Sequence, residues 1–376
     1  MKVLLTGTAG GAGWPEPGCR CVSCAGLPPG HRRPFGVVVD SVASFPFDAP
    51  PDGYRTDAGG LGVSCPDGTR LLCLHTDWSG PTAQVTSIGR AASAAGAVPG
   101  DGAVPPDNTP GNRYDVVLMD LLDRPERLGE LRRAGLADDA TVVVATGLDH
   151  RIRSERELTR RLRLWGALSV PDGTELEVMP GRGLTAASRP PGAQDDAIVT
   201  EREPHPWRAL LLGGSRSGKS AEAEMRLAGA PYVTYVATGP AGAGDGEWAA
   251  RVRAHRARRP AHWATAETTD LVTTIGAATT PLLIDGLGTW LTAVFDEHGA
   301  WEGDRAPVAA ACDALVAAWR QTPQPVVAVS DEVGMGVVPA TASGRAFRDA
   351  LGRLNERLAA ESEYVALVLA GRPLEL

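Results

Sequence analysis

The sequence predicts an α/β protein in two parts, and three observations carry that prediction. Between Ala209 and Leu369 short apolar runs alternate with helical patterns, the grammar of a mostly parallel sheet with helices on both faces. Before Val178 the apolar runs are also short, but Gly and Pro turns punctuate them, as at 96–111. From Pro180 to Pro206 no apolar period survives, and Pro, Gly, Ala and charge dominate, which reads as a linker. The expected division is therefore residues 1–179, a linker over 180–206, and a second domain over 207–376.

In order along the first part, the expected strands are Val3–Thr6, Phe35–Val39, Arg70–Leu74, Tyr114–Met119 and Thr141–Ala145. A helix is expected over Arg153–Trp165, with Leu158, Leu162 and Trp165 on one face. In the second part the expected strands are Ala209–Leu212, Tyr232–Ala237, Pro281–Ile284, Pro325–Val329 and Tyr364–Leu369. Helical patterns lie between them at Ser220–Ala228, Glu247–Arg258, Thr289–Glu297, Val308–Arg320 and Ala342–Glu361. No internal repeat is visible.

Composition narrows the function. The chain has 376 residues, 43% of them apolar and 22% charged, values ordinary for a globular protein. A net charge of −8 argues against a general nucleic-acid binder. No apolar run approaches the roughly 18 residues that cross a bilayer, and MKVLLTGTAGG turns to glycine too early for a secretory h-region. A cytoplasmic location is expected. In that compartment six cysteines are not a disulfide framework; Cys65, Cys73 and Cys312 read as small buried hydrophobes.

Of the 37 Lys plus Arg residues, only Lys2 and Lys219 are lysine. The second stands in Gly213-Gly214-Ser215-Arg216-Ser217-Gly218-Lys219-Ser220, which fits the phosphate-binding loop G-x-x-x-x-G-K-[ST]. The loop follows an apolar strand and precedes a helix, as its chemistry requires. Backbone N–H groups curl around phosphate oxygens, Lys219 neutralises the β and γ phosphates, and Ser220 ligates Mg²⁺. The partner acid is expected at the end of a neighbouring apolar strand, where Pro281-Leu-Leu-Ile-Asp285 supplies Asp285. The fold class is thus P-loop NTPase-type and RecA-like.

The segment Glu247–Arg258 carries Arg251, Arg253, Arg256 and Arg258 around His255, with Arg259 just beyond. Helical spacing puts Arg251 one turn before His255, and Arg258 and Arg259 one turn after it. Such a field would keep the imidazole neutral, the form that can attack phosphorus. A solvated basic face with an incidental histidine would show the same spacing, so spacing alone leaves the choice open.

From Arg208 onward the chain resembles the bifunctional adenosylcobinamide kinase/adenosylcobinamide-phosphate guanylyltransferase family of cobalamin biosynthesis. The segments that carry the resemblance are GGSRSGKS, PYVTYVATG, Arg251–Glu267, Leu282–Thr292 and Val329–Ala359. It implies phosphorylation of adenosylcobinamide with ATP or GTP, then transfer of GMP from GTP to the phosphate through a guanylylated histidine. His255 matches that histidine, and His262 is assigned a structural place beside Trp263. The nucleotide-binding positions implied are the P-loop residues, Thr238, Gly239 and Pro240, the run Arg256, Ala257, Arg258 and Arg259, then Glu267 and Asp285. A homotrimer with active sites between subunits is also implied. Where the family usually reads SNEVG, this chain has Ser330-Asp331-Glu332-Val333-Gly334.

The first part resembles the metallo-β-lactamase fold, in the branch that opens LTGTxGxxGxPxxxCxCxxC, here Leu5–Cys24. That resemblance implies a structural Zn²⁺ held by Cys19, Cys21, Cys24 and His150, since three thiolates and one imidazole make a closed tetrahedral set. The catalytic signature H-x-H-x-D-H is missing, and Gly147 stands where the branch places a further metal-binding histidine. His75 and Asp77 cannot by themselves assemble a dinuclear centre. A degenerate hydrolase domain is expected.

Overall fold

In the computed structural model, residues 1–74, 113–188, 207–239 and 259–376 are described. They fall into two compact units, one centred on the N-terminal half and one on the C-terminal half.

The first unit is built on two sheets. Strands β1 (Lys2–Gly7), β2 (Gly36–Val39), β3 (Ala43–Ser44), β10 (Thr174–Met179) and β11 (Gly183–Ser188) form an antiparallel sheet of order β11-β10-β1-β2-β3. The other sheet takes β4 (Arg55–Asp57), β5 (Gly62–Ser64), β6 (Arg70–Leu74), β7 (Val116–Met119), β8 (Val142–Ala145) and β9 (Ala167–Leu168) in chain order. Its first three strands are antiparallel and β6 to β9 run parallel. Val3, Leu5, Val37 and Val39 from one sheet share a core with Leu71, Cys73, Val116, Leu118, Val142 and Val144 from the other. Every second side chain of each strand points there, as the pleat dictates. Among the described residues three α-helices complete the unit: α1 (Val22–Ala25), α2 (Glu126–Arg133) and α3 (Glu155–Trp165). Helix α3 starts on a Ser154 cap that accepts from Glu157 N, ends on Gly166 in the left-handed region, and buries Leu158, Leu162 and Trp165 as its pattern predicts.

Strand β11 lies inside the segment that reads as a linker. Residues 183–188 pair with β10, so the first unit extends beyond the expected boundary at 179. Residues 189–206 lie outside the described residues.

The second unit holds a seven-stranded sheet made from β12 (Arg208–Gly213), β13 (Thr234–Ala237), β14 (Ala264–Glu267), β15 (Leu282–Asp285), β16 (Val326–Asp331), β17 (Tyr364–Leu369) and β18 (Arg372–Glu375). The order is β14-β13-β15-β16-β12-β17-β18, parallel throughout except for β18. Helices α4 (Lys219–Leu227), α5 (Leu271–Gly276), α6 (Leu287–Glu297), α7 (Ala306–Arg320) and α8 (Ala342–Ala360) connect the strands. Leu210, Leu212, Ile284 and Ala328 meet Trp290, Leu291, Phe295, Leu315, Trp319 and Leu354 in one core against α5 to α8. Helix α4 packs across β12, β15, β16 and β17. The strands read as continuous apolar runs because both faces are covered.

Cys65, Cys73 and Cys312 are buried and unbridged, as expected of small hydrophobes. Among the described residues no helix is long and apolar enough to cross a membrane.

Candidate nucleotide and metal sites

Parallel strands collect their carboxyl ends along one edge, and in the second unit that edge carries the predicted chemistry. Gly213 ends β12, Ala237 ends β13, Glu267 ends β14, Asp285 ends β15 and Asp331 ends β16. The register sets Gly213 beside Asp331, and Ala237 beside both Asp285 and Glu267. Such an edge is where open α/β sheets bind ligands.

The chain leaves β12 through Gly214 to Gly218 and turns into α4 at Lys219. Two residues of this turn take positive φ, Arg216 at 57° and Gly218 at 98°. At Gly218 a side chain would be both strained and obstructed, since its Cβ would come 3.0 Å from Gly371 Cα. The Gly371 amide donates to Ser217 O at 2.7 Å and so ties the loop to the β17–β18 turn. The Ser217 hydroxyl is buried with no hydrogen-bond partner among the described residues.

Lys219 Nζ lies 3.0 Å from Gly214 O and 2.8 Å from Asp331 Oδ1. One residue on, Ser220 Oγ donates to Asp285 Oδ1 at 3.1 Å. These two oxygens are hard donors, one from the loop and one from β15, and they have the chemistry that suits Mg²⁺. Strand β15 lies next but one to β12, with β16 between, rather than beside it as expected. The second carboxylate oxygen of Asp285 accepts from the Tyr235 hydroxyl. Burial first, then the charge of Asp285, pushes the Tyr235 phenol well above the ordinary tyrosine value, so it stays a donor. The Arg259 guanidinium lies 3.3 Å above the centre of the Tyr235 ring. Tyr235 is a residue that sequence reasoning missed. Its signal was a tyrosine in an apolar strand whose hydroxyl, once buried, needs a partner.

Thr238 is fully buried and its hydroxyl lies 2.7 Å from Gly286 O and 2.6 Å from Thr289 Oγ1. It fixes the end of β13 against the start of α6. Arg259 and Glu267 line a cavity of about 450 Å³ together with Pro260, Ala261, Trp263 and Thr265. Of the other expected nucleotide positions, Pro240, Arg256, Ala257 and Arg258 lie outside the described residues. So does the expected catalytic His255, with the helix predicted over Glu247–Arg258.

In the first unit Cys19, Cys21, Cys24 and His150 stand together, with one ligand atom from each within 4.8 Å of all the others. Cys21 caps α1 by accepting from Cys24 N at 3.4 Å. That backbone N–H also holds the Cys21 thiol below its usual value, whereas burial pushes the Cys24 thiol up to about 11. His150 comes from the loop after β8, and its Nδ1 lies 3.9 Å from Cys24 Sγ and 3.0 Å from Glu16 Oε2. Among the described residues this is the one group of three or more His, Cys, Asp or Glu side chains placed to hold a metal ion. Asp120, after β7, is instead paired with Arg151, whose Nη2 lies 2.8 Å from Oδ2, and Gly147 packs against that same carboxylate. His75 and Asp77 lie outside the described residues.

Comparison with known proteins bears on the second unit. Residues 209–376 match the family described as cobinamide kinase / cobinamide phosphate guanyltransferase. The bifunctional adenosylcobalamin biosynthesis protein CobU of Salmonella typhimurium is 41% identical over 174 residues, covering 43% of this chain and 95% of that protein. The corresponding CobP of Pseudomonas aeruginosa is 40% identical over 176 residues, covering 45% and 96%. The CobU of Escherichia coli is 38% identical over 177 residues, covering 43% and 95%. Among solved structures, an ATPase from a type III secretion system aligns at a TM-score of 0.30 and 14% identity, over 43% of this chain and 50% of that one. A likeness at that level carries no argument.

Proposed function

The chain belongs, through residues 209–376, to the cobinamide kinase / cobinamide phosphate guanyltransferase family, and we propose that it performs both reactions of that name. It would phosphorylate the aminopropanol hydroxyl of adenosylcobinamide with ATP or GTP, and then transfer GMP from GTP to the new phosphate. The observation that carries this reading is the convergence of Lys219, Ser220 and Asp285 at one edge of the parallel sheet.

In the first reaction the acceptor hydroxyl oxygen bonds to the γ phosphorus, the bond to the β-phosphate oxygen breaks, and the hydroxyl proton is released. Loop amides and Lys219 hold the phosphates in line and spread the charge that builds on them. Ser220 and Asp285 would hold Mg²⁺, which when bound neutralises the β and γ oxygens. Tyr235 keeps Asp285 oriented from beneath. In the second reaction His255 attacks the α phosphorus of GTP and pyrophosphate leaves. The cobinamide phosphate oxygen then displaces the histidine and takes GMP. Arginines at 256, 258 and 259 would attract the triphosphate to His255. Arg259 and Glu267 present a cation and a carboxylate to the nucleoside in the cavity they line.

Incubation with GTP labelled at the α phosphate tests the scheme. Acid-labile GMP should remain on the wild-type protein and be lost in His255→Ala. A wild-type protein that phosphorylates cobinamide yet takes no label would be a kinase alone. One that binds GTP and turns over neither substrate would be a nucleotide sensor.

For the first unit we infer a degenerate metallo-β-lactamase-like domain with a structural zinc. The four clustered ligand atoms fit that ion, since three thiolates and an imidazole close a tetrahedron and leave no open position for catalysis. Triphosphates and a thiol-held zinc both suit the reducing cytoplasm, where we place the enzyme. We also expect it to assemble as a homotrimer, which light scattering would check.

A further inference from the structure

Lys219, the P-loop lysine, already has a partner. Its ammonium is 2.8 Å from Asp331 Oδ1, and its side chain is 13% exposed against 45% for the aspartate. Three contacts fix the aspartate's place. Its backbone oxygen accepts from Asn355 Nδ2 at 3.1 Å, and Asn355 in turn takes the Ser330 hydroxyl at 2.6 Å. The other carboxylate oxygen lies over the first turn of α6, so close to Gly288 that a Cβ there would come within 2.8 Å. That turn presents free N–H groups and the positive end of the helix dipole, which favour a negative charge. Asp331 is thus held between the lysine and a helix N-terminus by backbone and side chain together.

A triphosphate needs the same ammonium. When phosphate oxygens take Lys219, Asp331 loses its counter-ion and faces a polyanion of the same sign. Two carboxylates, Asp285 and Asp331, then flank the phosphates at the tips of the neighbouring strands β15 and β16. Asp285 keeps the hydroxyls of Ser220 and Tyr235 as donors, whereas the pair between Asp331 and Lys219 is given up. A divalent cation arriving with the nucleotide is what restores the balance.

We propose that Asp331 is a counter-ion lock on Lys219, which a nucleoside triphosphate must displace and which makes triphosphate binding depend on a divalent cation. This rests on reading the P-loop as a triphosphate site. In this role Asp331 is a positioning residue. Asparagine in its place would keep the shape and the Asn355 bond but hold no charge, so it would release the lysine without opening the loop.

Titration of the full chain with guanosine 5′-(α,β-methylene)triphosphate, whose α–β bridge cannot be cleaved by His255 and which meets no acceptor for its γ phosphate, in EDTA and again in excess Mg²⁺, tests the proposal. In EDTA, Asp331→Asn should bind about fivefold more tightly than wild type, the scale of one ion pair released. In Mg²⁺ the advantage should fall below about twofold, because the cation already neutralises the wild-type carboxylate. GMP, which has no β or γ phosphate, should bind both proteins equally. Asp331→Ser must shift affinity in the same direction, which guards against a local distortion peculiar to one variant. Equal affinity of wild type and both variants in EDTA overturns the lock, as does a gain that is undiminished in Mg²⁺ or shared by GMP. If no protein binds the analogue under either condition, the triphosphate reading itself falls, and the lock with it.

Discussion

Tyr235, on the strand β13 that pairs with β15, donates its phenolic hydrogen to one carboxylate oxygen of Asp285, and Ser220 donates to the other. The carboxylate is therefore oriented before any cation arrives. Removing the phenol in Tyr235→Phe would take one hydrogen-bond donor from the Asp285 carboxylate next to a buried ring. We expect a loss of about 1–2 kcal/mol in unfolding free energy, within the range for hydrogen bonds to charged groups. We also expect roughly a tenfold rise in the Mg²⁺ concentration that half-supports triphosphate binding, as for other partners that orient a metal ligand. Calorimetric titration at a series of Mg²⁺ concentrations reads the second effect. An unchanged Mg²⁺ midpoint would show that Asp285 needs no help from Tyr235.

A second prediction concerns acid. Burial works against the Glu155 carboxylate, but hydrogen bonds from His31 and Arg32 outweigh it and hold Glu155 down to about 2. Arg32 is itself buried, and grips both carboxylate oxygens of Glu155 through Nε at 2.6 Å and Nη2 at 2.9 Å, while Nη2 also donates to Ser169 and Nη1 donates to Thr8 and Val170. Its folded value lies below the ordinary 4.5, so the stabilisation is complete above about 4.5. It is lost progressively as pH falls from there towards 2. Protection factors for hydrogen exchange of the first unit's amides in the full chain should fall over that window. Glu155→Gln should already exchange faster at neutral pH and show a flatter dependence. Equal pH profiles in the two proteins would refute the assignment.

How far these features could be read from the sequence depends on where each element lies. Arg70–Leu74 and Tyr364–Leu369 appear with the expected bounds, because each apolar run ends at a turn signal. Strands β14 and β18 escaped notice for the opposite reason. The first is Ala-Thr-Ala-Glu on an edge with little buried, and the second contains Pro373 and pairs antiparallel at the other edge. Strand β11 hid in a Gly- and Ala-rich stretch with only Leu184 and the small Ala187 as anchors. At the carboxyl edge of the second sheet the placement of the motif residues and of Asp285 was legible, since a strand-loop-helix motif and an acid closing an apolar strand can each be read locally. Tyr235 and the contact of Lys219 with Asp331 were not, because they join strands distant in sequence through side chains that no motif prescribes. Asp331 stood out only as a departure from the family pattern, and its partner emerged from the register of β12 with β16.

A last prediction tests the cysteine cluster. The three thiols, once ionised, would repel one another beside the neutral imidazole in a cluster whose ligand atoms lie within 4.8 Å, unless a cation gathers them. Purified protein should therefore contain about one Zn²⁺ per chain, with X-ray absorption fitted by three sulfurs near ~2.3 Å and one nitrogen near ~2.0 Å. Cys24 is the ligand whose loss should matter most, since it alone of the three cysteines is buried, and it closes the short α1 turn onto Cys21. Cys24→Ser should empty the site and lower the melting temperature of the full chain, and chelation of the wild type should lower it similarly. Neither treatment should alter guanylylation at His255 if the zinc is structural and serves only its own domain. Full-length protein that contains no zinc when prepared under reducing, chelator-free conditions would disprove the assignment. Two metal ions per chain with phosphodiesterase turnover would mean that the first domain is a working hydrolase.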